Sequence, residues 1–318
     1  MSKPEVLVMP KVHPLYLEAL RSAYVVHQLP DSPQALASLA PAIVGLAAGG
    51  ESVVPGSLLN QLPQLRVLSV FGVGYDGIDV PAALQQGVPV THTPEVLTDD
   101  VADLAMGLVL AVSRSIAQAD QHVRQGRWPH SPMPLGRKVS GSRMGIVGLG
   151  RIGGAIARRA AAFGMSIAYT ARSEKPASGF TYYPTAAALA AQVDYLVVIT
   201  PGGAGTRHLI NAEVLAALGP QGYLINVARG SVVDEDALVA ALVSGGIAGV
   251  GLDVFANEPH VPQALWSLPN VVLTPHMASA THQTRQAMAD LAFANMQAGI
   301  SGQALRTPVP EWRDRQVR

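Results

Sequence analysis

Three side chains suited to proton transfer and anion binding follow separate apolar runs in the second half of the chain. Arg229 follows the run 224–227, Glu258 follows 251–255, and His276 follows 272–274. Short apolar runs bounded by turn residues are typical of buried parallel strands. Because ligands of an open parallel sheet bind beyond the carboxyl ends of its strands, the three side chains are predicted to meet at one ligand-binding edge.

An arginine, a histidine and a carboxylate together suit the reduction of a carbonyl group by a hydride donor, which needs an electrophilic anchor and a proton donor. Arg229 fits the first task because its planar guanidinium can bind a carboxylate or carbonyl through two charge-assisted hydrogen bonds. His276 fits the second because a histidine pKa lies near neutrality. Glu258 is expected to orient the imidazole and favour its protonated form. Taken singly, each residue has a structural alternative, namely an ion pair, a loop cap or a satisfied loop histidine; their joint placement favours catalysis.

Upstream of these residues, the apolar run 144–147 leads into Gly148-Leu149-Gly150-Arg151-Ile152-Gly153, the pattern of a dinucleotide-binding turn. In such a turn the first glycine permits the bend, the second lets a pyrophosphate approach the backbone, and the third lets the helix pack closely on the strand. The helix N-terminus then offers N–H groups to the phosphates. The alternative is a glycine-rich turn that binds nothing. A helix-forming stretch at 155–163 and an apolar run at 165–170 complete a βαβ unit and favour the dinucleotide.

The end of the second strand of this unit indicates which dinucleotide is bound. NAD-binding turns carry a carboxylate there, which accepts hydrogen bonds from the ribose 2′-OH and would repel a 2′-phosphate. This chain has Arg172 and Ser173 instead, and the first acid is Glu174. Guanidinium and hydroxyl groups are suited to binding a phosphate. NADP(H) is therefore predicted in preference to NAD(H), which stays possible; the alternative is a surface arginine paired with Glu174.

Strand-like and helix-like stretches alternate along the chain, which favours an α/β protein with parallel sheets. Residues 1–98 and 285–318 are predicted to form one domain. Residues 99–284 are predicted to form the other, around a six-stranded doubly wound sheet. A single long helix over 99–125 and a loop or arm rich in proline and glycine over 126–140 lead into that sheet.

Composition excludes several classes of function. The 318 residues include 22 basic and 22 acidic side chains and no cysteine. The balanced charge argues against a nucleic-acid or anionic-membrane partner, and the absence of cysteine excludes disulfides and thiol chemistry. The longest apolar stretch, 104–112, is too short to span a bilayer, and the N-terminal apolar run, broken by Pro10, predicts a strand rather than a signal peptide. The other histidines lack metal-ligand spacing, so no metal is predicted, and a cytoplasmic location is expected.

The combined motifs resemble the D-isomer-specific 2-hydroxyacid dehydrogenases, especially the glyoxylate and hydroxypyruvate reductases. They are FGVGYDGID at 71–79, LTDDVAD at 97–103, the dinucleotide turn, NVARG at 226–230, GLDVF at 251–255 with Glu258-Pro259, and Pro275-His276 with Ser279. The resemblance implies two Rossmann-like parallel-sheet domains, a flavodoxin-like substrate domain and a doubly wound dinucleotide-binding domain, with the active site in the cleft between them. It also implies a homodimer joined largely through the helix 99–125 and the arm.

The resemblance assigns roles to individual residues. It implies that Arg229, Glu258 and His276 are the catalytic triad, that Arg229 and His276 contact the substrate, and that the backbone N–H groups of Val73 and Gly74 bind its carboxylate. With the turn and the strand end already described, the predicted cofactor-binding positions are Gly148, Gly150, Arg151, Ile152, Gly153, Arg172, Ser173, Thr200, Pro201, Thr206, Val227, Ala228, Asp253 and His276. Asp253 resembles the residue that orients the nicotinamide amide. Trp128 resembles an arm tryptophan that reaches the partner's active-site mouth; the alternative is a tryptophan buried where the arm packs.

Two positions depart from the family pattern: Ala278 stands where many members have glycine, and the loop 200–206 is unusually rich in glycine. The predicted activity is the NAD(P)H-dependent reduction of a small 2-oxo acid, of the glyoxylate or hydroxypyruvate type, to the D-2-hydroxy acid. Two rivals share this fold: a nucleotide-sensing binding protein similar to the corepressor relatives of the family, and a dehydrogenase that oxidises an inorganic oxyanion such as phosphite. The intact catalytic triad favours the enzyme over the binding protein.

Overall fold

The computed structural model of the protein describes residues 3–316. The chain divides into two compact units. Unit 1 comprises the chain up to Leu97 and from Ser279 onward, and unit 2 comprises Thr98–Ala278. The second boundary therefore lies at residue 278 rather than 284. The reason is that the helix beginning at His282 is bound to unit 1 from its first turn, where the Thr284 hydroxyl donates to the Val96 carbonyl at 3.4 Å.

Unit 1 is built on a parallel sheet covered by helices. Its strands are β1 (Glu5–Val8), β2 (Val25–Gln28), β3 (Ile43–Gly49), β4 (Val67–Phe71) and β5 (Val90–Thr91), and its helices are α1 (Pro14–Ala23), α2 (Pro33–Leu39), α3 (Gly56–Leu59), α4 (Val80–Gln85), α11 (His282–Ser301) and α12 (Pro310–Gln316). The strand order β2-β1-β3-β4-β5 is that of flavodoxin-like folds. Every residue of β4, which lies between β3 and β5, is buried, as expected for a strand covered on both faces.

Unit 2 is a doubly wound parallel sheet. Its strands are β6 (Arg143–Val147), β7 (Ser166–Thr170), β8 (Thr181–Tyr182), β9 (Tyr195–Val198), β10 (Tyr223–Asn226), β11 (Gly249–Leu252) and β12 (Val271–Leu273), and its helices are α5 (Thr98–Arg114), α6 (Ile116–Arg124), α7 (Arg151–Ala162), α8 (Ala186–Ala190), α9 (Ala212–Leu218) and α10 (Glu235–Val243). The order is β12-β11-β10-β9-β6-β7-β8, so the strand order reverses direction beside β6. In such folds this switch point is where ligands bind. The two parallel-sheet α/β units confirm the predicted fold class.

Two details of unit 2 differ from the predictions. The sheet has seven strands rather than six, because the two-residue strand β8 pairs with β7 at its edge. The predicted helix over 99–125 is two helices, broken at Ser115, which has left-handed backbone angles of φ 50° and ψ 42°. The break coincides with a contact from the arm, since the Arg137 N–H donates to the Ser113 carbonyl at 2.8 Å. The arm 126–140 contains no helix or strand, as predicted.

Within unit 2, α5 packs beside α7, the helix that follows the dinucleotide turn. The Arg159 guanidinium on α7 donates to the Asp99 carboxylate at 3.1 Å and to that of Asp103 at 2.6 Å, which ties the two helices together. No helix in the range 3–316 combines the length and the apolar character needed to cross a bilayer.

Candidate active site

The turn between β6 and α7 has the backbone geometry of a phosphate-binding loop. Gly148 has φ 106°, and a Cβ there would lie 2.8 Å from the Ile199 carbonyl oxygen. Gly150 caps α7 without a side chain, and the space its Cβ would take is open. A Cβ at Gly153 would overlap the Gly148 carbonyl oxygen. Gly148 thus makes the bend, Gly150 leaves the backbone open to a ligand, and Gly153 lets the helix pack closely on the turn. Arg151 and Ile152 form the start of α7, where N–H groups suit an anion.

The segment beyond β7 presents the groups predicted to recognise a 2′-phosphate. Arg172 and Ser173 are exposed, and among the described residues Arg172 makes no ion pair with Glu174. Lys175 is a further cation that the sequence prediction missed. Its Nζ donates to the carbonyl of Leu149, inside the dinucleotide turn, at 2.5 Å. The spacing of Lys175 three residues after Arg172 is the sequence signal that identifies it.

The three predicted catalytic residues of unit 2 start from adjacent strand ends. In the sheet register, Asn226 of β10 pairs with Leu252 of β11, and Leu252 pairs with Leu273 of β12. The loops after β10 and β11 also touch through their backbones, because a Cβ at Gly230 would overlap the backbone of Phe255. Arg229, Glu258 and His276 therefore leave the sheet at the same edge.

Glu258 and His276 form a direct contact. The His276 Nδ1 lies 2.7 Å from one carboxylate oxygen of Glu258, and the other carboxylate oxygen accepts a hydrogen bond from the Phe255 N–H at 2.8 Å. Both side chains are partly exposed, at 29% for His276 and 20% for Glu258. With an ionised Glu258 carboxylate, which can only accept, Nδ1 is the donating nitrogen of this contact. Glu258 thus fixes the plane and the tautomer of the ring.

Asp253 holds the backbone around His276. Its carboxylate is fully buried and accepts hydrogen bonds from the Thr274 hydroxyl at 2.6 Å and from the N–H groups of Met277 and Ala278, both at 2.9 Å. The Asp253 carbonyl accepts the His276 N–H at 2.8 Å. This network surrounds a strained residue, since His276 has φ 50°. Burial raises the pKa of Asp253, and the hydrogen bonds oppose that shift. The hydroxyl of Thr274 belongs to this network and was not predicted.

The backbone of the Arg229 loop is fixed by Asn226. The Asn226 side chain accepts from the Ala228 N–H at 3.1 Å and donates to the Arg229 carbonyl at 3.0 Å. Val227 and Ala228 are buried, whereas Arg229 is partly exposed. After β9, the Thr206 hydroxyl closes the 200–206 loop by donating to the Pro201 carbonyl at 2.7 Å, and Thr200 lies partly exposed at its start.

The amides predicted to bind the substrate carboxylate, those of Val73 and Gly74, lie in unit 1 in the loop after β4. Both residues are partly exposed. The loop after β3 fixes the start of this segment, because a Cβ at Gly72 would lie 2.9 Å from the Gly50 Cα. On the other side, the Gly72 N–H donates to the Thr93 hydroxyl at 3.1 Å.

Comparisons with known proteins identify the family of the chain. The model of the D-isomer specific 2-hydroxyacid dehydrogenase NAD binding domain matches residues 106–278. Hydroxyphenylpyruvate reductase of Plectranthus scutellarioides is 51% identical over 268 residues, which are 84% of this chain and 85% of that protein. The 2-ketogluconate reductase of Gluconobacter oxydans is 44% identical over 308 residues, 97% of this chain and 99% of that protein.

Among solved structures, the NADPH-dependent glyoxylate/hydroxypyruvate reductase of Sinorhizobium meliloti in complex with NADP and malonate superimposes with a TM-score of 0.92 and 49% identity, covering 98% of each chain. The family match spans the dinucleotide turn and all three residues Arg229, Glu258 and His276. With its two parallel sheets and its histidine–glutamate pair, the chain belongs to the D-isomer-specific 2-hydroxyacid dehydrogenases, a family of NAD-binding oxidoreductases.

Proposed function

We propose that the protein reduces a small 2-oxo acid, of the glyoxylate or hydroxypyruvate type, to the D-2-hydroxy acid with NADPH. The observation that carries the proposal is the 2.7 Å contact between Glu258 and His276 at the carboxyl edge of the sheet that bears the dinucleotide turn. The relatives named above support the substrate class, since the solved neighbour acts on glyoxylate and hydroxypyruvate and a curated relative is a 2-ketogluconate reductase.

In this proposal each group of the chain has one task. His276 gives a proton from Nε2 to the carbonyl oxygen of the substrate while Glu258, bound at Nδ1, offsets the charge of the imidazolium. Arg229 binds and polarises the substrate through its guanidinium. The N–H groups of Val73 and Gly74 bind the substrate carboxylate. Unit 1 accordingly acts as the substrate domain and unit 2 as the dinucleotide-binding domain.

The residues of unit 2 fit a nicotinamide dinucleotide, because the space next to Gly150 is open where a pyrophosphate would approach the backbone. When bound, that cofactor supplies the hydride. Arg172 and Ser173 would hold a 2′-phosphate, and NADP(H) is preferred to NAD(H), which remains usable. The Sinorhizobium neighbour, which is NADPH-dependent and was solved with NADP, supports this choice. Thr200, Pro201, Thr206, Val227, Ala228 and Asp253 stay predicted cofactor contacts.

The test is a panel assay of the purified protein. The loss of reduced-nicotinamide absorbance is followed with glyoxylate, hydroxypyruvate, pyruvate and 2-ketogluconate, using NADPH and NADH in turn. Turnover of at least one 2-oxo acid, with NADPH preferred, is expected. If no acid is reduced but NADPH binds, the nucleotide-sensing alternative holds; if NADP⁺ is reduced on adding phosphite, the oxyanion dehydrogenase holds.

We also propose that the protein is a homodimer joined through α5, α6 and the arm 126–140. Large apolar side chains are exposed along this segment, namely Ile116, Val123, Trp128 and Leu135. Exposed apolar side chains that recur along one segment favour a protein interface there. Trp128, at 70% exposure, is not buried by the arm of its own chain, which favours a contact with the partner. Light scattering should give twice the chain mass, and Ile116→Arg with Leu135→Arg should give a monomer; a monomeric wild type would refute the dimer.

A further inference from the structure

The loop after β4 is held by two consecutive residues of unit 1, His92 and Thr93. The Thr93 N–H donates to the Gly72 carbonyl at 2.8 Å. The His92 Nδ1 lies 2.9 Å from the Val73 carbonyl oxygen. A carbonyl oxygen only accepts, so Nδ1 is the protonated, donating nitrogen of that ring. Two successive carbonyl groups of the loop are therefore bound to the same short segment.

Because the peptide bond is planar, these carbonyl contacts also set the direction of the loop's N–H groups. In a planar trans peptide the N–H points opposite to the C=O of the same unit. The carbonyl of Gly72 shares its peptide plane with the N–H of Val73, and the carbonyl of Val73 shares its plane with the N–H of Gly74. Because both carbonyls face the segment His92-Thr93, both N–H groups face away from it. Successive N–H groups on one side form a concave site for an anion.

The imidazole that binds the Val73 carbonyl is itself held firmly. His92 is buried, with 8% of its surface exposed. Its backbone is fixed on both sides by Thr307, whose carbonyl accepts the His92 N–H at 3.1 Å and whose hydroxyl donates to the His92 carbonyl at 2.6 Å. The Tyr75 ring and the imidazole meet edge to face, with ring centroids 5.2 Å apart and planes at 87°. Tyr75 in turn donates to the Glu311 carboxylate on α12 at 3.1 Å.

We infer that His92 is a positioning residue that presets the Val73–Gly74 amides for the substrate carboxylate. This rests on the proposed function, in which those amides bind that group. The role of His92 is to fix the orientation of one peptide plane without touching the substrate. Without its hydrogen bond the Val73–Gly74 peptide can rotate, and the Gly74 N–H then spends part of its time turned away from the anion.

The matched variants are His92→Leu and His92→Asn. Leucine fills much of the space but donates nothing, whereas the Asn side-chain amide can place an N–H close to the position of Nδ1. A carboxylate contact made equally in the ground state and the transition state acts mainly on KM. We therefore expect His92→Leu to raise KM for the 2-oxo acid by about 3- to 10-fold with little change in kcat, the worth of one hydrogen bond. His92→Asn should recover most of the wild-type KM.

Two further measurements separate positioning from a general loss of structure. The inhibition constant of oxalate, an anion without a reducible aldehyde or ketone, should rise in parallel with KM, whereas the NADPH dissociation constant should stay constant. The kcat/KM for glyoxal, which lacks the carboxylate of glyoxylate, should be the same in His92→Leu as in the wild type. His27→Leu is the control: it removes a half-buried histidine of unit 1 that contacts Glu5 at 2.7 Å, and it should leave all of these constants unchanged.

An unchanged KM and an unchanged oxalate constant in His92→Leu would overturn the inference, as would equal losses with glyoxylate and glyoxal or a failure of His92→Asn to restore KM. If His92→Leu does not fold, His92→Asn still tests the inference. A KM for the 2-oxo acid far above the wild-type value in that variant would contradict it, because the asparagine amide is expected to replace the Nδ1 donor. A wild-type protein that reduces none of the 2-oxo acids would instead refute the proposed function, which keeps the two failures distinct.

Discussion

Replacing Asp253 by asparagine perturbs the backbone that carries His276 while leaving the shape of the side chain almost unchanged. The amide oxygen can still accept from the Thr274 hydroxyl and the Met277 N–H, which share one carboxylate oxygen. In the wild type the second carboxylate oxygen accepts from the Ala278 N–H at 2.9 Å. In the variant the amide nitrogen takes the place of that oxygen and faces the same N–H. Two donors cannot pair, so the substitution removes one hydrogen bond and sets two N–H groups against each other.

The magnitude follows from two opposing effects. A hydrogen bond to a charged acceptor contributes about 1.5–3 kcal/mol. Burial raises the pKa of Asp253, so the ionised carboxylate carries a desolvation cost that asparagine does not. We therefore expect the free energy of unfolding to fall by only about 1–2 kcal/mol. The effect on catalysis should be larger, because the left-handed backbone of His276 itself costs about 1–2 kcal/mol and depends on this network to persist.

General acids contribute about 10²–10⁴-fold to rate, and a displaced imidazole retains part of that. Turnover of Asp253→Asn at saturating NADPH and 2-oxo acid should fall by about 10- to 100-fold. Thr274→Val is the control, since it removes the hydroxyl's hydrogen bonds to Asp253 and to the Leu252 carbonyl and leaves both N–H contacts of the carboxylate intact; it should lower turnover by less than about 10-fold. If Asp253→Asn loses stability in urea unfolding but keeps turnover within about twofold of the wild type, Asp253 supports the fold and not the position of His276.

The remaining predictions concern proton transfer, cofactor choice and stability. His276→Ala should lower kcat by about 10²–10⁴-fold with little change in NADPH affinity, and near-native turnover would remove His276 as the acid. Arg172→Ala should reduce the kcat/KM preference for NADPH over NADH by about 10-fold or more; a preference of undiminished size would place the selectivity elsewhere. The Arg143 side chain holds the pKa of Asp194 below its ordinary value of 3.8. The ionised Asp194 therefore stabilises the folded state fully above pH 3.8, and this contribution to the free energy of unfolding is lost as the pH falls below that value. Asp194→Asn should therefore lower the free energy of unfolding by about 1–2 kcal/mol at neutral pH, and this difference should shrink in strong acid; a pH-independent difference would exclude the ion pair as its cause.

The sheets were predictable because their strands are continuous apolar runs, and β4 and β9 are buried at every residue. The strand β8 gave no such pattern, because Thr181 and Tyr182 are only two residues at an edge and neither is fully buried. The break at Ser115 had no signal either. The sequence there contains no glycine or proline, and the contact at this break comes from the distant Arg137 N–H, bound to the Ser113 carbonyl.

The residues of the candidate site were predictable where chemistry selects the residue type. Arginine, glutamate and histidine after three strands carry such a signal, and so does the glycine turn. His92 and Thr274 do not, because their work is to bind backbone or a neighbouring carboxylate, which many polar residues do throughout a protein. Their partners, Val73 and Asp253, lie 19 and 21 residues away along the chain, so only the folded structure brings them together.

The position of Arg229 shows how backbone packing sets the geometry of the site. The residue after it is Gly230, and any Cβ there would overlap the backbone of Phe255 in the loop that ends at Glu258. The two loops can approach only because that side chain is absent. The same loop offers the Phe255 N–H to Glu258, which binds His276. Gly230 thus brings the arginine loop against the segment that carries Glu258, and the side-chain contact between Glu258 and His276 joins the histidine to the same edge of the sheet.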